Sequence, residues 1–230
     1  MKIRYSQLIH QYPSPSAEPR KVLDISDWTI DEGEQLLIRG ISGSGKTTLF
    51  NITAGLMQPT SGMVWFDNTN LYDLAEAKRD QFRAQHIGYV FQTHYLMNTL
   101  TAIDNVIMPL AFAKTQPKSA WRSIAQPLLE RVGLGDHLNY LPAKLSTGQR
   151  MRVAVARALV SKPSLILADE PTASLDETSA TSVMDLLQDI CNETNATLLV
   201  NSHDPSIYDR FTSIVNLSHG KLAFEGTVAT

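Results

Sequence analysis

The chain has 230 residues, 43% hydrophobic and 19% charged, which excludes a disordered chain and allows a sizeable buried core. Its 20 basic and 23 acidic residues leave a net charge of −3, which argues against an electrostatic nucleic-acid surface. The single cysteine, Cys191, excludes an intrachain disulfide framework and fits a reducing cytosol.

The opening MKIRYSQLIHQYPSPS has no continuous apolar stretch and does not read as a secretory signal. Residues 1–33 read as short extended pieces around a Pro- and Ser-rich loop, YPSPSAEP. EQLLIRG at 34–40 is a short apolar run bounded by glycine, a buried strand. ISGSG follows as a loop, then KTTLFNITAGL as a helix stopping near Gly55, a turn at QPTSG and a strand at MVWFD. Residues 73–85 look helical and charged, and HIGYVFQ at 86–92 is another strand.

From Thr93 to Val160 strong strand signals are missing, and the segment reads as a mostly helical insertion containing AIDNVIMPLAFA and WRSIAQPLLERVG. In KLSTGQRMRVAVARALV at 144–160, the alternation of RMRVAV fits a strand. Its length, its alanines and its halt before Pro163 favour a helix. Arg150 and Arg152 read there as a solvated face. SLILADE at 164–170 is a short buried strand, and TSATSVMDLLQDICNE an amphipathic helix with Val183, Leu186, Leu187 and Ile190 on one side. ATLLVNSH is a further strand, and SIVNLSHGKLAFEG a hairpin turning at His219–Gly220. Strands alternating with helices imply an α/β fold with a mainly parallel sheet covered on both faces. No run approaches the roughly 18 apolar residues of a membrane span. The longest candidate, NVIMPLAFA, is short and contains Pro109, so a soluble chain is expected, held at any membrane by another protein.

Three features carry chemistry. GISGSGKT at 40–47 matches G-x-x-x-x-G-K-S/T in full and sits between a predicted strand and a predicted helix. A Gly-rich loop lets backbone N–H groups converge on phosphate oxygens, and the following helix adds its positive N-terminal dipole. Lys46 is expected to reach the β- and γ-phosphates and the Thr47 hydroxyl to ligand Mg²⁺. LILADEP places Asp169 and Glu170 at the end of an apolar strand, the edge where ligands bind in open parallel sheets. Asp169 is placed to hold Mg²⁺ through water, and Glu170 to orient or deprotonate an attacking water. Gln92 and His203 also end strands; taken alone each reads as a surface or satisfied core residue, and together with the loop they are candidates for contact with Mg²⁺ or the water and with the γ-phosphate. The other histidines (His10, His86, His94, His137 and His219) show no metal-ligand spacing.

With these residues in hand the chain resembles the nucleotide-binding subunit of ABC transporters over nearly its whole length. GISGSGKT looks like the Walker A loop, Gln92 like the Q-loop, and LSTGQ at 145–149 like the signature motif. LILADE looks like Walker B, SLD at 174–176 like the D-loop, and His203 like the switch histidine. The resemblance implies a P-loop NTPase: a RecA-like mainly parallel sheet flanked by helices, with a small antiparallel β region and a helical subdomain. It implies one domain over 1–230, with a nucleotide-binding core at 1–92 and 161–230 and the helical subdomain at 93–160. ATP would be held by Gly40, Ser42, Gly43, Ser44, Gly45, Lys46, Thr47 and Thr48, with Tyr12 stacked on adenine and Tyr5 as its rival. Stacking of this kind is worth about 1–3 kcal/mol.

In this family two subunits pack head to tail, so Ser146, Gly148, Gln149 and Asp176 would complete a second protomer's ATP site. Ser146 also reads as the cap of its own helix, and both uses share one geometry. Mg²⁺ would rest on Thr47, Gln92 and Asp169, and catalysis on Glu170, Lys46, His203 and Gln92. The implied partners are a second ATPase subunit, as a homodimer, and an integral membrane permease subunit at the cytoplasmic face of the inner membrane; no nucleic acid is implied. TLTAIDNVIMPLAFA, PTSG, IGYVFQ and GLGDHLNYLPAKLS resemble the lipoprotein-release, macrolide-exporter and cell-division branch. The function implied is ATP hydrolysis powering a transporter; the alternative is an ATP-driven switch acting on an extracytoplasmic protein without moving a solute. Soluble DNA-repair or translation ATPases of the family carry a coiled-coil insertion or tandem copies, which this chain lacks. It departs from the family at Thr147, where Gly is usual, and at Asn201–Ser202 ahead of His203.

Overall fold

The structure, a computed structural model, describes residues 1–13 and 18–225; the expected YPSPSAEP loop lies partly outside them, as does the last residue of the expected hairpin. Residues 1–33 are not short pieces but two long strands, β1 (Ile3–Tyr12) and β2 (Arg20–Ile30), paired antiparallel. Their alternation slips once each, between Tyr5 and Leu8 and between Ile25 and Trp28, and Gln7 takes φ 47° at the first slip. A broken period of two hides a strand from pattern reading. With β4 (Ser61–Phe66) and β5 (Thr69–Asn70) they form a four-stranded antiparallel sheet in the order β2-β1-β4-β5.

The second sheet contains β3 (Gln35–Arg39), β6 (Ile87–Val90), β7 (Leu165–Asp169), β8 (Thr197–Asn201), β9 (Ser213–Ser218) and β10 (Lys221–Glu225). Its order is β10-β9-β3-β8-β7-β6, parallel from β9 to β6, with β10 added antiparallel through the expected turn at His219 (φ 50°) and Gly220 (φ 79°). Six helices of eight residues or more accompany the sheets among the described residues: α1 (Lys46–Thr53), α2 (Glu76–His86), α3 (Ala102–Ala113), α4 (Trp121–Arg131), α5 (Thr147–Leu159) and α6 (Glu177–Thr194).

Successive residues of the parallel strands serve opposite faces. Leu36, Ile38, Leu165, Leu167, Leu199 and Leu217 pack with the antiparallel sheet and with Leu49, Phe50 and Ile52 of α1. Leu37, Ile166, Ala168, Leu198 and Val200 pack under α5 and α6. One cover of the parallel sheet is therefore largely β rather than helical.

Helix α5 is caught between two cores. Met151, Val155, Ala158 and Leu159 face the sheet, while Val153, Ala156 and Val160 join α3 and α4 in a separate apolar cluster. Two apolar faces at helical spacing leave no strand option, and a capping box at Ser146 and Gln149 fixes the start. The expected solvated face of Arg150 and Arg152 is corrected: both are half-buried. Arg150 donates to the Leu145 carbonyl (2.8 Å) and the Thr147 hydroxyl (3.0 Å), and Arg152 to the Val132 carbonyl (3.2 Å). Cys191 is buried on α6, and burial pushes its thiol up to about 12.

Leu37, fully buried on β3 between β8 and β9, is the test of this layering. Leu37→Ala should cost about 2–5 kcal/mol in urea denaturation; a loss below about 1 kcal/mol would show that the sheet does not carry the core.

Candidate active site

The parallel strands bring their carboxyl ends to one edge, and the loop from β3 to α1 crosses it. Gly43 (φ 74°) and Gly45 (φ 107°) adopt left-handed backbone that a side chain resists, and a Cβ on Gly45 would lie 2.9 Å from the Val22 carbonyl. Helix α1 starts at this loop with no side-chain cap and no acidic residue in its first turn, so its leading N–H groups are free for an anion. The Lys46 ammonium folds back to donate to the carbonyls of Gly40 (2.6 Å) and Ile41 (3.2 Å). Burial lowers its pKa, opposed by the carboxylates of Glu170 and Asp169. Ser44 holds a buried hydroxyl with no partner.

Asp169 ends β7 and is buried. Burial raises its pKa, while hydrogen bonds from the Thr47 side chain and the Asn201 amide lower it. Glu170 follows with φ 50°, a rare backbone state for a side-chain-bearing residue, held by its N–H on the Asn201 carbonyl (2.8 Å). One Glu170 oxygen meets His203 Nδ1 at 2.7 Å and the other accepts from the Ser202 hydroxyl at 3.3 Å. The His203 side chain is 70% exposed, so the pair sits at the cleft's mouth.

The cleft has a volume of about 740 Å³ and is lined by Ser42, Gly43, Gly45, Lys46, Thr47, Thr48, Tyr12, Gln92, Glu170 and His203, all sequence candidates. Gly40 and Asp169 do not line it but touch residues that do, Lys46 for the one and Thr47 and Asn201 for the other, and Ser44 lies within the same loop. Tyr12 is 40% exposed, its phenol meets the Thr48 hydroxyl at 3.1 Å, and its ring stands edge-on to His10. Tyr5 is fully buried, stacked on Trp28 with its hydroxyl on Thr53, and is out of reach of the cleft. Arg20, Val22 and Asn201 also line the cleft and were missed. Arg20 comes with the unrecognised strand β2, where it pairs with Tyr12; Asn201 sits in register with Asp169.

Ser146, Gly148, Gln149 and Asp176 do not line this cleft. The Ser146 and Gln149 side chains each bond the other's backbone N–H, and Asp176 caps α6 through Ser179, which holds its carboxyl below the usual range. Gly148 lies against Ser179, so the two helix starts touch.

The Thr47 hydroxyl, the Asp169 carboxylate and the Gln92 side-chain carbonyl are hard oxygen donors, a set that fits Mg²⁺. Among the described residues no group of three His, Cys, Asp or Glu could hold a metal.

A family model described as ABC transporter matches residues 23–173. The lipoprotein-releasing system ATP-binding protein LolD of Shewanella oneidensis is 42% identical over 202 residues, covering 88% of this chain and 87% of that protein. LolD of Legionella pneumophila is 40% identical over 217 residues, covering 94% and 95%. The dimeric ATP-binding cassette MJ0796, solved in a post-hydrolysis state with ADP and Pi, superposes with a TM-score of 0.91 at 34% identity, covering 99% of this chain and 100% of that one.

Beyond Gln92 the chain turns through His94 (φ 62°) and Tyr95 (φ 45°), whose carbonyls accept from the Arg157 guanidinium of α5 at 2.5 and 2.7 Å. Burial pulls that guanidinium down to about 10, and it stays a cation at neutral pH. Arg157→Met should cost about 1.5–3 kcal/mol in urea denaturation and speed proteolysis at 93–97. Unchanged stability and cleavage would show that the clamp holds nothing.

Proposed function

The chain belongs to the ABC transporter family, and from that premise we propose that it is the ATP-hydrolysing subunit of a lipoprotein-release type system, working as a head-to-tail dimer. It binds ATP. The observation that carries the reading is the split of the chemistry. One cleft gathers the phosphate loop, Glu170 and His203, while the capped helix start at Ser146–Gly148 presents anion-binding geometry elsewhere.

In this reading the N–H groups of 43–48, the Gly40–Thr48 loop as a whole and the Lys46 ammonium take the phosphates, and Tyr12 stacks on adenine. Glu170 accepts a proton from the water attacking the γ-phosphorus as the bond to the β–γ bridging oxygen breaks, releasing ADP and phosphate. His203, engaged to Glu170 through Nδ1, reaches the γ-phosphate with its other ring nitrogen. Mg²⁺ would be held by Thr47, Gln92 and, through water, Asp169, and supplies neutralisation of phosphate charge. Ser146, Gly148 and Gln149 of one protomer, with Asp176 beside them, complete the site of its partner. The dimeric state of the related solved cassettes supports this arrangement.

Among the described residues no helix is long and apolar enough to cross a membrane. In this reading a membrane permease subunit holds the chain at the cytoplasmic face of the inner membrane. A groove of about 350 Å³ lined by Leu56, Arg83, Phe91, Met108 and Phe112 suits an amphipathic helix from such a partner, with Leu56 47% and Phe112 60% exposed. The core at 1–92 and 161–230 carries the phosphate chemistry, and the helical subdomain at 93–160 carries the trans-acting motif.

Glu170→Gln should retain ATP binding, slow hydrolysis by about 100–10,000-fold and accumulate as an ATP-dependent dimer in light scattering. Normal turnover would remove Glu170 from this role. Leu56→Glu with Phe112→Glu should abolish co-purification of a membrane protein in mild detergent while ATP binding persists. Retained co-purification would move the docking surface elsewhere.

A further inference from the structure

Asn201 is the odd residue of β8. The three residues before it, Leu198, Leu199 and Val200, are apolar and buried, and Asn201 itself is 1% exposed. A central strand position of this kind ordinarily takes a β-branched apolar residue. Its amide nitrogen donates to an Asp169 carboxylate oxygen, and its own carbonyl accepts the Glu170 N–H, so one residue holds both acids of the site. The side-chain oxygen, by contrast, is buried and has no partner. The amide cannot be turned around to relieve this, because its oxygen would then face a carboxylate. Asn201 also lines the phosphate cleft. An amide oxygen left bare in a buried site costs about 1–3 kcal/mol, so it needs a donor that arrives with the ligand.

We propose that Asn201 is a positioning residue for the cation that accompanies the nucleotide: its nitrogen locks Asp169, and its oxygen accepts a hydrogen bond from a water in that cation's hydration shell. The inference rests on the nucleotide reading above. A cationic donor that lines the same cleft, the Lys46 ammonium, already gives two of its protons to the loop carbonyls, and in this reading the third goes to phosphate. Magnesium keeps several waters when it binds, and those waters need acceptors in the second layer.

The test uses the full chain, with trinitrophenyl-ATP as the probe, titrated with Mg²⁺ and, separately, in EDTA. Asn201→Val should raise the half-saturating Mg²⁺ concentration about 10-fold, while affinity in EDTA stays within about two-fold, inside the range of one weak hydrogen bond. A residue that only fills the core would shift both together or neither. Asn201→Ala, which removes the amide without adding a hydrogen-bonding group, should show the same Mg²⁺-specific deficit of about 10-fold, and this variant carries the test if the Val variant does not fold. An unchanged Mg²⁺ requirement in Asn201→Val or in Asn201→Ala would overturn the proposal. A wild-type chain that binds no probe in either condition would instead overturn the nucleotide reading.

Discussion

The register of three parallel strands sets the edge at which the cleft forms. Ile38 on β3, Asn201 on β8 and Asp169 on β7 stand at one level of the sheet, and the level beneath pairs Leu37 with Val200 and Val200 with Ala168. Just past that row the chain leaves β3 into the phosphate loop, β7 into Glu170 and β8 into His203. A slip of one residue in any strand would turn its apolar set to the wrong face and take its polar end residue with it. The apolar packing that specifies the register thus also specifies the chemistry.

That edge concentrates charge that the fold alone does not balance fully. Lys46, Asp169 and Glu170 are all buried: loop carbonyls accept from the ammonium, Thr47 and Asn201 donate to one carboxylate, and the other meets Ser202 and His203. Unpartnered polar atoms remain at Ser44 and Asn201. Buried ionisable groups of both kinds and bare polar atoms at one edge are what the proposed nucleotide, with its cation, would meet.

Helix α5 links this edge to the rest of the molecule. Its start carries Ser146 and Gly148 against α6, its middle divides two hydrophobic clusters, and its last turn holds the carbonyls beyond Gln92 through Arg157. The segment after Gln92 and the capped turn at Ser146 are thus both attached to one helix. Packed elements with such double attachments move as units rather than deform.

Much of the fold was legible from local pattern. A short apolar run bounded by glycine marked β3, a second short apolar run marked β7, the His219–Gly220 turn marked the last hairpin, and the phosphate loop declared itself because its spacing is dictated by backbone geometry. Local sequence likewise named Asp169, Glu170 and His203, since each ends or closely follows a strand, and Lys46 through the spacing of its loop. Tertiary structure alone decided what depends on distant partners. It joined β1 and β2 across an alternation broken at Gln7, buried Tyr5 against Trp28 and left Tyr12 at the cleft, and turned Arg150 and Arg152 from a supposed solvated face into ties to Leu145, Thr147 and Val132. Asn201 shows the division most clearly: its identity is local, but a partnered nitrogen and a bare oxygen exist only because β7 lies beside β8 in one register. Periodicity and spacing report what the backbone does within a few residues, whereas burial and hydrogen-bond satisfaction are set by atoms brought together from far along the chain.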